Sequence, residues 1–405
     1  MTGLLYLGGA NPVACSMDIA RDLLTQARAR GIRSHVTNRA ETLPRTRPAH
    51  RLADQVSAVD PDDPAGCVRW ARERLAAGER FDVVLGLRDT VQLSVARTAA
   101  ALGAPGNPPE AVRRVRDKDV CRQALAAAGF RQPMVRLCTS ARQAVAVLRE
   151  SAGPWVIKPR AGQGSQGVRM VTGAGEVPSA IAELPDPGEF LVEEYVEGAE
   201  FSVEGVFLGG EATVLAVTAK EKLPPPWFVE LGHVLPADLP DGTRAEIGRQ
   251  VRAALSTLEL RFGVFHAEGW LTDHGVVLGE VHPRPGGDWI HRLLGYALPG
   301  LEMFGLVLDD ALGRPTGGPP APTRAAAARF LAPPPGRLVA VHGWDTVLAH
   351  PAVSHAELTV RPGALLGPIR SSPDRAGVVV VGADTPAQAH ALASKLTALV
   401  EFEMA

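Results

Sequence analysis

The sequence predicts an α/β front region joined to α+β regions, and three observations carry that reading. Short apolar runs alternate with amphipathic stretches through the first hundred residues, as in βαβ units around a parallel sheet. Farther on, β-rich runs flank glycine-containing turns at 155–171 and 263–282, as the arms of hairpins do. After a Pro/Gly-rich stretch, RPTGGPPAPT at 314–323, alternating runs and an Ala-rich helix suggest a small α+β appendage.

The elements follow in order. Residues 4–7 read as the first strand, Gly8 and Gly9 turn the chain, and Ile19, Leu23, Leu24 and Ala27 recur at helical spacing before Gly31 stops the helix. Residues 65–77 read as a helix, 82–87 as a buried strand, and 89–102 as a helix ending at GAPGNPP. A length of 405 residues corresponds to two or three domains of roughly 150 residues. The boundaries fall at 1–110, 111–315 and 316–405, with a flap subdomain near 150–200. In the last region Gly363 and Gly367 mark turns and residues 378–381 a strand.

Composition excludes several classes of protein. Lys+Arg of 42 against Asp+Glu of 44 gives 42 − 44 = −2, which offers no excess positive charge to drive binding to a nucleic-acid backbone. Hydrophobic residues at 46% with 21% charged are ample for buried cores and argue against disorder. The cysteines, Cys15, Cys67, Cys121 and Cys138, are scattered without a CxxC pair, which fits a reducing compartment. No run approaches the roughly 18 apolar residues of a spanning helix, so the expected address is the cytoplasm with no membrane partner.

The segment WVIKPRAGQGSQGVRMV, 155–171, places Lys158 on an apolar strand ahead of a Gly/Ser loop. Gly162, Gly164 and Gly167 satisfy GxGxxG, but that motif requires a helix directly after the glycines, and residues 168–171 read as strand. A Walker A loop carries its lysine after the glycines, whereas Lys158 precedes them. What remains is a hairpin flap whose exposed N–H groups, from Gly164 through Ser165, Gln166 and Gly167, suit phosphate oxygens. An ordinary mobile hairpin is the alternative.

The segment GVFHAEGWLTDHGVVLGEVHPRPGGDWI, 263–290, is the most informative. A three-residue turn centred on His274 pairs positions whose numbers sum to 548, so Glu268 faces Glu280 and His266 faces His282, all on one face. Two opposed carboxylates about 5 Å apart at Cβ repel unless a cation lies between them. Hard oxygen ligands of this kind suit Mg²⁺. Arg284 follows in HPRPGGD, where a guanidinium can take a carboxylate or phosphate in bidentate fashion; an ion pair with Asp288 competes with that role.

Lys118 in RDKDVCRQALAAAGF, Lys158 with its flap, FLVEEYVEGAEFSVEG, and Glu268 with Glu280 together resemble the ATP-grasp enzymes over residues 110–310. The flanking regions resemble the Rossmann-like front domain and small end domain of ATP-grasp carboxylate–amine ligases. FVELGHVLPA, HPRPGGD, RPGALLGPI and AGVVVVGADTPAQA are most similar to the L-amino-acid ligases. The resemblance implies ATP and Mg²⁺ as cofactors, with Lys118 and Lys158 on the phosphates. Residues 193–196 would form the adenine hinge, Glu193 within it and backbone groups of Glu194 and Val196 on the base edge. Glu200 would hold the ribose, and Glu268 and Glu280 the metal. Arg284 and Lys158 would be the catalytic residues, Arg284 on the substrate carboxylate and the developing oxyanion.

One departure stands out: the superfamily usually reads Glu-x-Asn-Pro-Arg, and His282 occupies the asparagine position. It is placed with the metal ligands, although imidazole is softer than an amide oxygen. The loop KLPPPWFVELGHVLPADLP, 222–240, would wall the substrate pocket. Glu230 or Asp288 would hold an amino group, His233 would touch the intermediate, and Gly287 would line the approach. The implied reaction joins a small-molecule carboxylate, an amino acid or its relative, to an amine through an acyl phosphate, releasing ADP and phosphate. A homodimer is also implied. The alternatives are a carrier-protein thiol as acceptor, a bicarbonate-activating carboxylase, and a nucleotide-binding module without turnover.

Overall fold

The computed structural model describes residues 2–405. Four parallel strands open the chain, ordered in space Gln55–Ala58, Arg33–Asn38, Gly3–Tyr6 and Val83–Leu85. The helix Ala14–Ala29 lays Ile19, Leu23, Leu24 and Ala27 into the core, as the spacing predicts, and Gly31 adopts the left-handed conformation that ends it. Past the carboxyl end of Val83–Leu85 comes a 3₁₀ turn, Asp89–Val91, and then the helix Gln92–Leu102. In open parallel sheets, ligands are met at that carboxyl edge, and Asp89 sits there.

Two helices, Pro109–Arg116 and Lys118–Ala127, carry the chain to the flap subdomain. Its antiparallel sheet runs Val135–Cys138, Phe190–Glu194, Trp155–Pro159, Arg169–Val171. It has its own core of Trp155, Ile157, Val171, Phe190 and Val192, with the helices Ala141–Val147 and Val177–Ala182 behind it. Trp155 pairs with Val171 and Ile157 with Arg169, so the glycine loop is the tip of a hairpin.

The largest sheet has eight antiparallel strands in the order Gly275–His282, Val264–Thr272, Ala199–Leu208, Glu211–Lys222, Glu230–Leu235, Ala325–Leu331, Gly377–Ala383, Val353–Leu358. Its last three strands come from beyond residue 323. The region read as an appendage therefore extends the central sheet, and only Gly336–His342, Leu365–Leu366 and Glu401–Met404 form a sheet apart from it. The reason is visible in residues 378–381, an unbroken valine run: every one is buried, because neighbours cover both faces, and an unbroken apolar strand needs exactly such a two-sided setting in place of an appendage's half-exposed edge. One apolar core likewise spans the regions, joining Leu4 and Tyr6 in the front to Val206, Phe304, Ala326 and Val378.

The hairpin at 264–282 corrects one expectation while preserving its consequence. Thr272 pairs with Gly275, so the turn has two residues, Asp273 and His274, where three were expected. A bulge at Gly279 then inserts one residue and restores the predicted register, pairing Glu268 with Glu280 and His266 with His282. A Cβ at Gly279 would lie 2.8 Å from the Trp270 ring, which is why glycine occupies the bulge.

The first turn of the front sheet depends on a buried histidine. His50 Nε2 accepts a hydrogen bond from the Ala10 N–H at 3.2 Å, and burial keeps the ring neutral by lowering its pKa to about 4. An unfolded histidine titrates near 6.5, so between about 4 and 6.5 the unfolded state binds the extra proton and stability falls as pH is lowered. Urea unfolding across that window is expected to show a shallower pH slope in His50→Gln, which retains an acceptor but does not titrate; an unchanged slope would assign the dependence elsewhere.

Candidate active site

A cleft between the flap and the central sheet collects most of the residues singled out by sequence. Lys118, Lys158, Gly164, Ser165, Gln166, Glu193, Glu194, Val196, Glu200, Glu230, Glu268, Glu280, His282 and Arg284 all line it. Gly167, His233, Gly287 and Asp288 lie outside that lining. Gly167 has a positive φ of 68° and a Cβ there would come within 2.9 Å of Pro185, so its glycine serves the turn. Gly286, rather than Gly287, is the glycine that packing requires, since its Cβ would lie 3.0 Å from Glu204 Oε2 and His266 Nδ1.

The floor is a polar face of the sheet. Strand alternation places Glu204, Ser202 and Glu200 on one strand, His266 and Glu268 on the next, and Glu280 and His282 on the edge strand, with His266 opposite Glu204 and Glu268 opposite Ser202. Glu268 accepts from Lys220 at 3.1 Å and meets His266 Nε2 at 2.7 Å. Glu280 lies 3.2 Å from Lys118, 4.0 Å from Lys158 and 3.2 Å from His282 Nε2. Burial opposes ionisation of both carboxylates, but Lys220, His266 and His282 together outweigh it at Glu268, and Lys118, His282 and Lys158 together at Glu280, so both are held well below the usual carboxylate range. Burial also works against charge on His266; Glu204 and Glu268 prevail and raise its pKa to about 9.

Two hard carboxylates face to face, beside lysines suited to phosphate oxygens, form a donor set that fits Mg²⁺. His282 is differently engaged: Nδ1 is 3.1 Å from Asp89 and Nε2 is 3.2 Å from Glu280. Both ring nitrogens are used, so His282 bridges two carboxylates here and presents no free lone pair as a ligand.

Lys158 is buried and paired with Glu193 at 2.6 Å. Glu193 also meets Arg122, whose side chain is 1% exposed, at 3.0 Å. Desolvation lowers the pKa of Lys158 against the pull of Glu193. Of the expected hinge groups, the Glu194 N–H already donates to the Met134 carbonyl at 3.0 Å, so a base edge would be read by other hinge groups. Glu200 is bound by Lys220 at 2.7 Å and Lys222 at 2.5 Å.

Arg284 pairs with Asp89 at 3.0 Å and not with Asp288. Asp288 is instead gripped by Arg375, at 2.7 and 2.8 Å, and by His233 Nε2 at 3.2 Å, so its oxygens are not free for an amino group in this structure. Asp288 and Trp289 have φ of 52° and 67°, a strained pair for residues with side chains. Asp89, Arg122, Lys220 and Arg375 were missed by sequence reasoning. Only Lys220 left a signal, as the inward neighbour of Lys222 in TAKEK. Beyond Lys118 and Glu280 a second cavity of about 280 Å³ opens, walled by Leu93, Val112, Val115, Cys121 and Pro283, with Asp89 and Arg116 among its polar residues.

Comparisons with known proteins place the fold and the family. An ATP-grasp domain family model matches residues 151–292 and the L-amino acid ligase C-terminal domain 2 matches 329–405. An uncharacterized protein of Sinorhizobium fredii, y4rH, is 30% identical over 341 residues, covering 81% of this chain and 70% of that protein. Carnosine synthase 1 of Gallus gallus is 31% identical over 283 residues, 64% of this chain but only 30% of the relative's length. The crystal structure of L-amino acid ligase from Bacillus licheniformis superposes with a TM-score of 0.82 at 22% identity, covering 100% of this chain and 98% of that one. The chain belongs to the ATP-grasp ligases and carries the C-terminal domain of their L-amino acid ligase branch. The reading as a binding module without turnover is thereby set aside. Among the described residues no helix is long and apolar enough to cross a membrane.

The buried triad makes a stability prediction. Glu193→Gln removes the carboxylate partner of buried Arg122 and the nearer of the two at Lys158, and urea unfolding is expected to show a loss of about 3–5 kcal/mol. The double variant Arg122→Met/Glu193→Gln is expected to lose less than the sum of its single changes, because the partners share one network.

Proposed function

We propose that this chain is an ADP-forming ligase that joins the carboxylate of an amino acid, or a close relative of one, to an amine through an acyl phosphate. The observation that carries the reading is the convergence of Lys118, Lys158 and the opposed Glu268 and Glu280 at one end of the cleft, with Arg284 beside them. The L-amino acid ligase domain at 329–405 points to amino acids as the substrate class.

In this reading Lys118 and Lys158 bind the phosphate oxygens of ATP, and Glu200 takes the ribose by exchanging Lys222 for sugar hydroxyls. Glu268 and Glu280 would hold Mg²⁺, which when bound neutralises phosphate charge. Arg284 orients the substrate carboxylate, one oxygen of which attacks the γ-phosphorus as the bond to ADP breaks. An amine then attacks the acyl carbon, Arg284 stabilises the oxyanion, and the carbon–oxygen bond to phosphate breaks, giving an amide, phosphate and a released proton. The glycine loop excludes water from the acyl phosphate. The cavity beyond Lys118 receives an apolar side chain of one substrate, as its Leu93, Val112 and Val115 walls favour.

ADP and phosphate release with Mg·ATP across pairwise mixtures of amino acids, with mass spectrometry of products, tests the reading. Release that requires two amino acids and yields their dipeptide is the expected result. Release stimulated only by a carrier protein would move the acceptor to a thiol, and bicarbonate-dependent release would make the protein a carboxylase. Arg284→Ala is expected to lower kcat by about 10²–10³-fold. Leu93→Trp is expected to raise KM for one substrate while leaving KM for ATP unchanged.

A further inference from the structure

The C-terminal region reaches the active site through the short turn at residues 370–375, and the Asp374 carboxylate ties that turn together. Asp374 Oδ2 accepts from the N–H groups of Arg370 and Ser371, at 3.0 and 2.7 Å, and from the Ser371 hydroxyl at 2.8 Å. The turn is therefore preformed. From it three contacts leave in different directions.

The first is to the flap: the Ser372 N–H donates to the Gly164 carbonyl at 2.9 Å. The Ser372 and Ser165 hydroxyls both reach Glu230 Oε2, at 3.3 and 3.4 Å. The second is to the pocket loop, where Trp227 lies between the guanidinium groups of Arg370 and Arg169, 5.1 and 5.2 Å from its ring centre. Arg169 belongs to the flap, so one indole joins flap, loop and C-terminal region. The third is to the substrate end: Arg375 holds both oxygens of Asp288, donates to the Glu230 carbonyl at 3.0 Å and to the Ser372 carbonyl at 2.9 Å, and covers the Phe330 ring at 3.5 Å. A strained backbone persists only where its surroundings over-determine it, and Arg375 supplies that constraint at Asp288 and Trp289, which follow Arg284 by four and five positions.

We infer that residues 370–375 form the second half of the active-site lid, a latch that holds the glycine flap closed through Ser372, with Arg375 as a positioning residue that fixes the Arg284 segment through Asp288. This rests on the ligase reading for its benefit, since a lid shared by flap and substrate segment keeps water out only when both are in place. It does not rest on that reading for its test.

Ser372→Pro separates the latch from folding. Ser372 opens a 3₁₀ turn, where proline is tolerated, and Ser371 before it is extended at φ −150° and ψ 163°. The change removes the N–H to Gly164 and the hydroxyl to Glu230, and leaves the Glu230 ion pair with Lys220 in place. Hydrogen exchange of the full-length protein, alone and with Mg·ADP, is the measurement. In Ser372→Pro the amides of residues 161–168 are expected to exchange roughly fivefold faster or more, the equivalent of about one net hydrogen bond, while those of Gly377–Ala383 are unchanged. In Arg375→Ala faster exchange is expected at 286–290 as well, and Arg375→Lys restores it only in part because one ammonium cannot grip both oxygens.

Flap exchange identical to wild type in Ser372→Pro overturns the latch, and faster exchange throughout the protein reduces it to a general fold contact. Turnover supplies a second, separate reading: with a productive amino-acid pair, ADP formed per amide is expected to rise in both variants, whereas a merely structural loss lowers ADP and amide in parallel. A wild-type protein that makes no amide from any pair would sink the ligase reading, and the exchange data would still decide the latch.

Discussion

Glu268 and Glu280 stand opposite each other on neighbouring strands, and the repulsion between them governs the arrangement of everything nearby. Neither is neutralised by protonation; each is kept charged by cations placed beside it, Lys220 and His266 at one and Lys118, Lys158 and His282 at the other. Those cations come from separate strands and one helix, and all but Lys118 bring a further carboxylate: Glu200 and Glu230 for Lys220, Glu193 for Lys158, Glu204 for His266, Asp89 for His282. The site is thus one network of alternating charge in which Glu268, Glu280, Lys220, Lys158, His266 and His282 each have more than one ionic partner. In such a network an ion that gives up one partner can keep another, which matters where an unpaired buried ion is costly.

The same constraint explains the front domain. Asp89 lies at the carboxyl edge of the parallel sheet, yet its partners are Arg284 and His282 of the central region. Burial disfavours its charge, and Arg284 and His282 together keep its carboxyl well below the usual range. Without the front region the Arg284 guanidinium would lose its salt-bridge partner and point by its tie to the Pro285 carbonyl alone. The shared apolar core between Leu4, Tyr6, Phe304 and Val378 holds that geometry, so the front region acts as a structural part of the site.

What was legible in the sequence follows from how local each feature is. The opposition of Glu268 and Glu280 was legible because both lie in one hairpin, where period-two alternation fixes faces. The route was partly wrong, since the turn has two residues and the bulge at Gly279 supplies the missing one; only the clash that any Cβ would make with Trp270 marks that glycine, and it appears in three dimensions alone. The flap was legible from its glycines and the strand before them. Asp89, Arg122 and Arg375 were not, because each meets its partner across long stretches of chain, 195 residues for Asp89 and Arg284 and 87 for Arg375 and Asp288. Their residue types do not distinguish them from the many surface charges. Asp288 shows the converse: its position in HPRPGGD suggested a substrate contact, and the structure instead gives it to Arg375 and His233.

Trp289 marks where the three regions meet. Its N–H donates to Cys15 Sγ of the front helix at 3.4 Å, and its ring lies against His355 of the C-terminal region at 3.6 Å and His291 of its own helix at 5.8 Å. A left-handed φ at a bulky residue is unfavourable by itself, so this conformation exists only because front, central and C-terminal elements press on it together. The preceding residue, Asp288, carries the same strain and is clamped by Arg375. The segment that ends in Arg284 is therefore anchored on its far side by all three regions at once. A loop held that way has little freedom to follow the substrate, whereas the flap packs on an apolar core of its own and is tied to the rest of the chain by fewer such constraints.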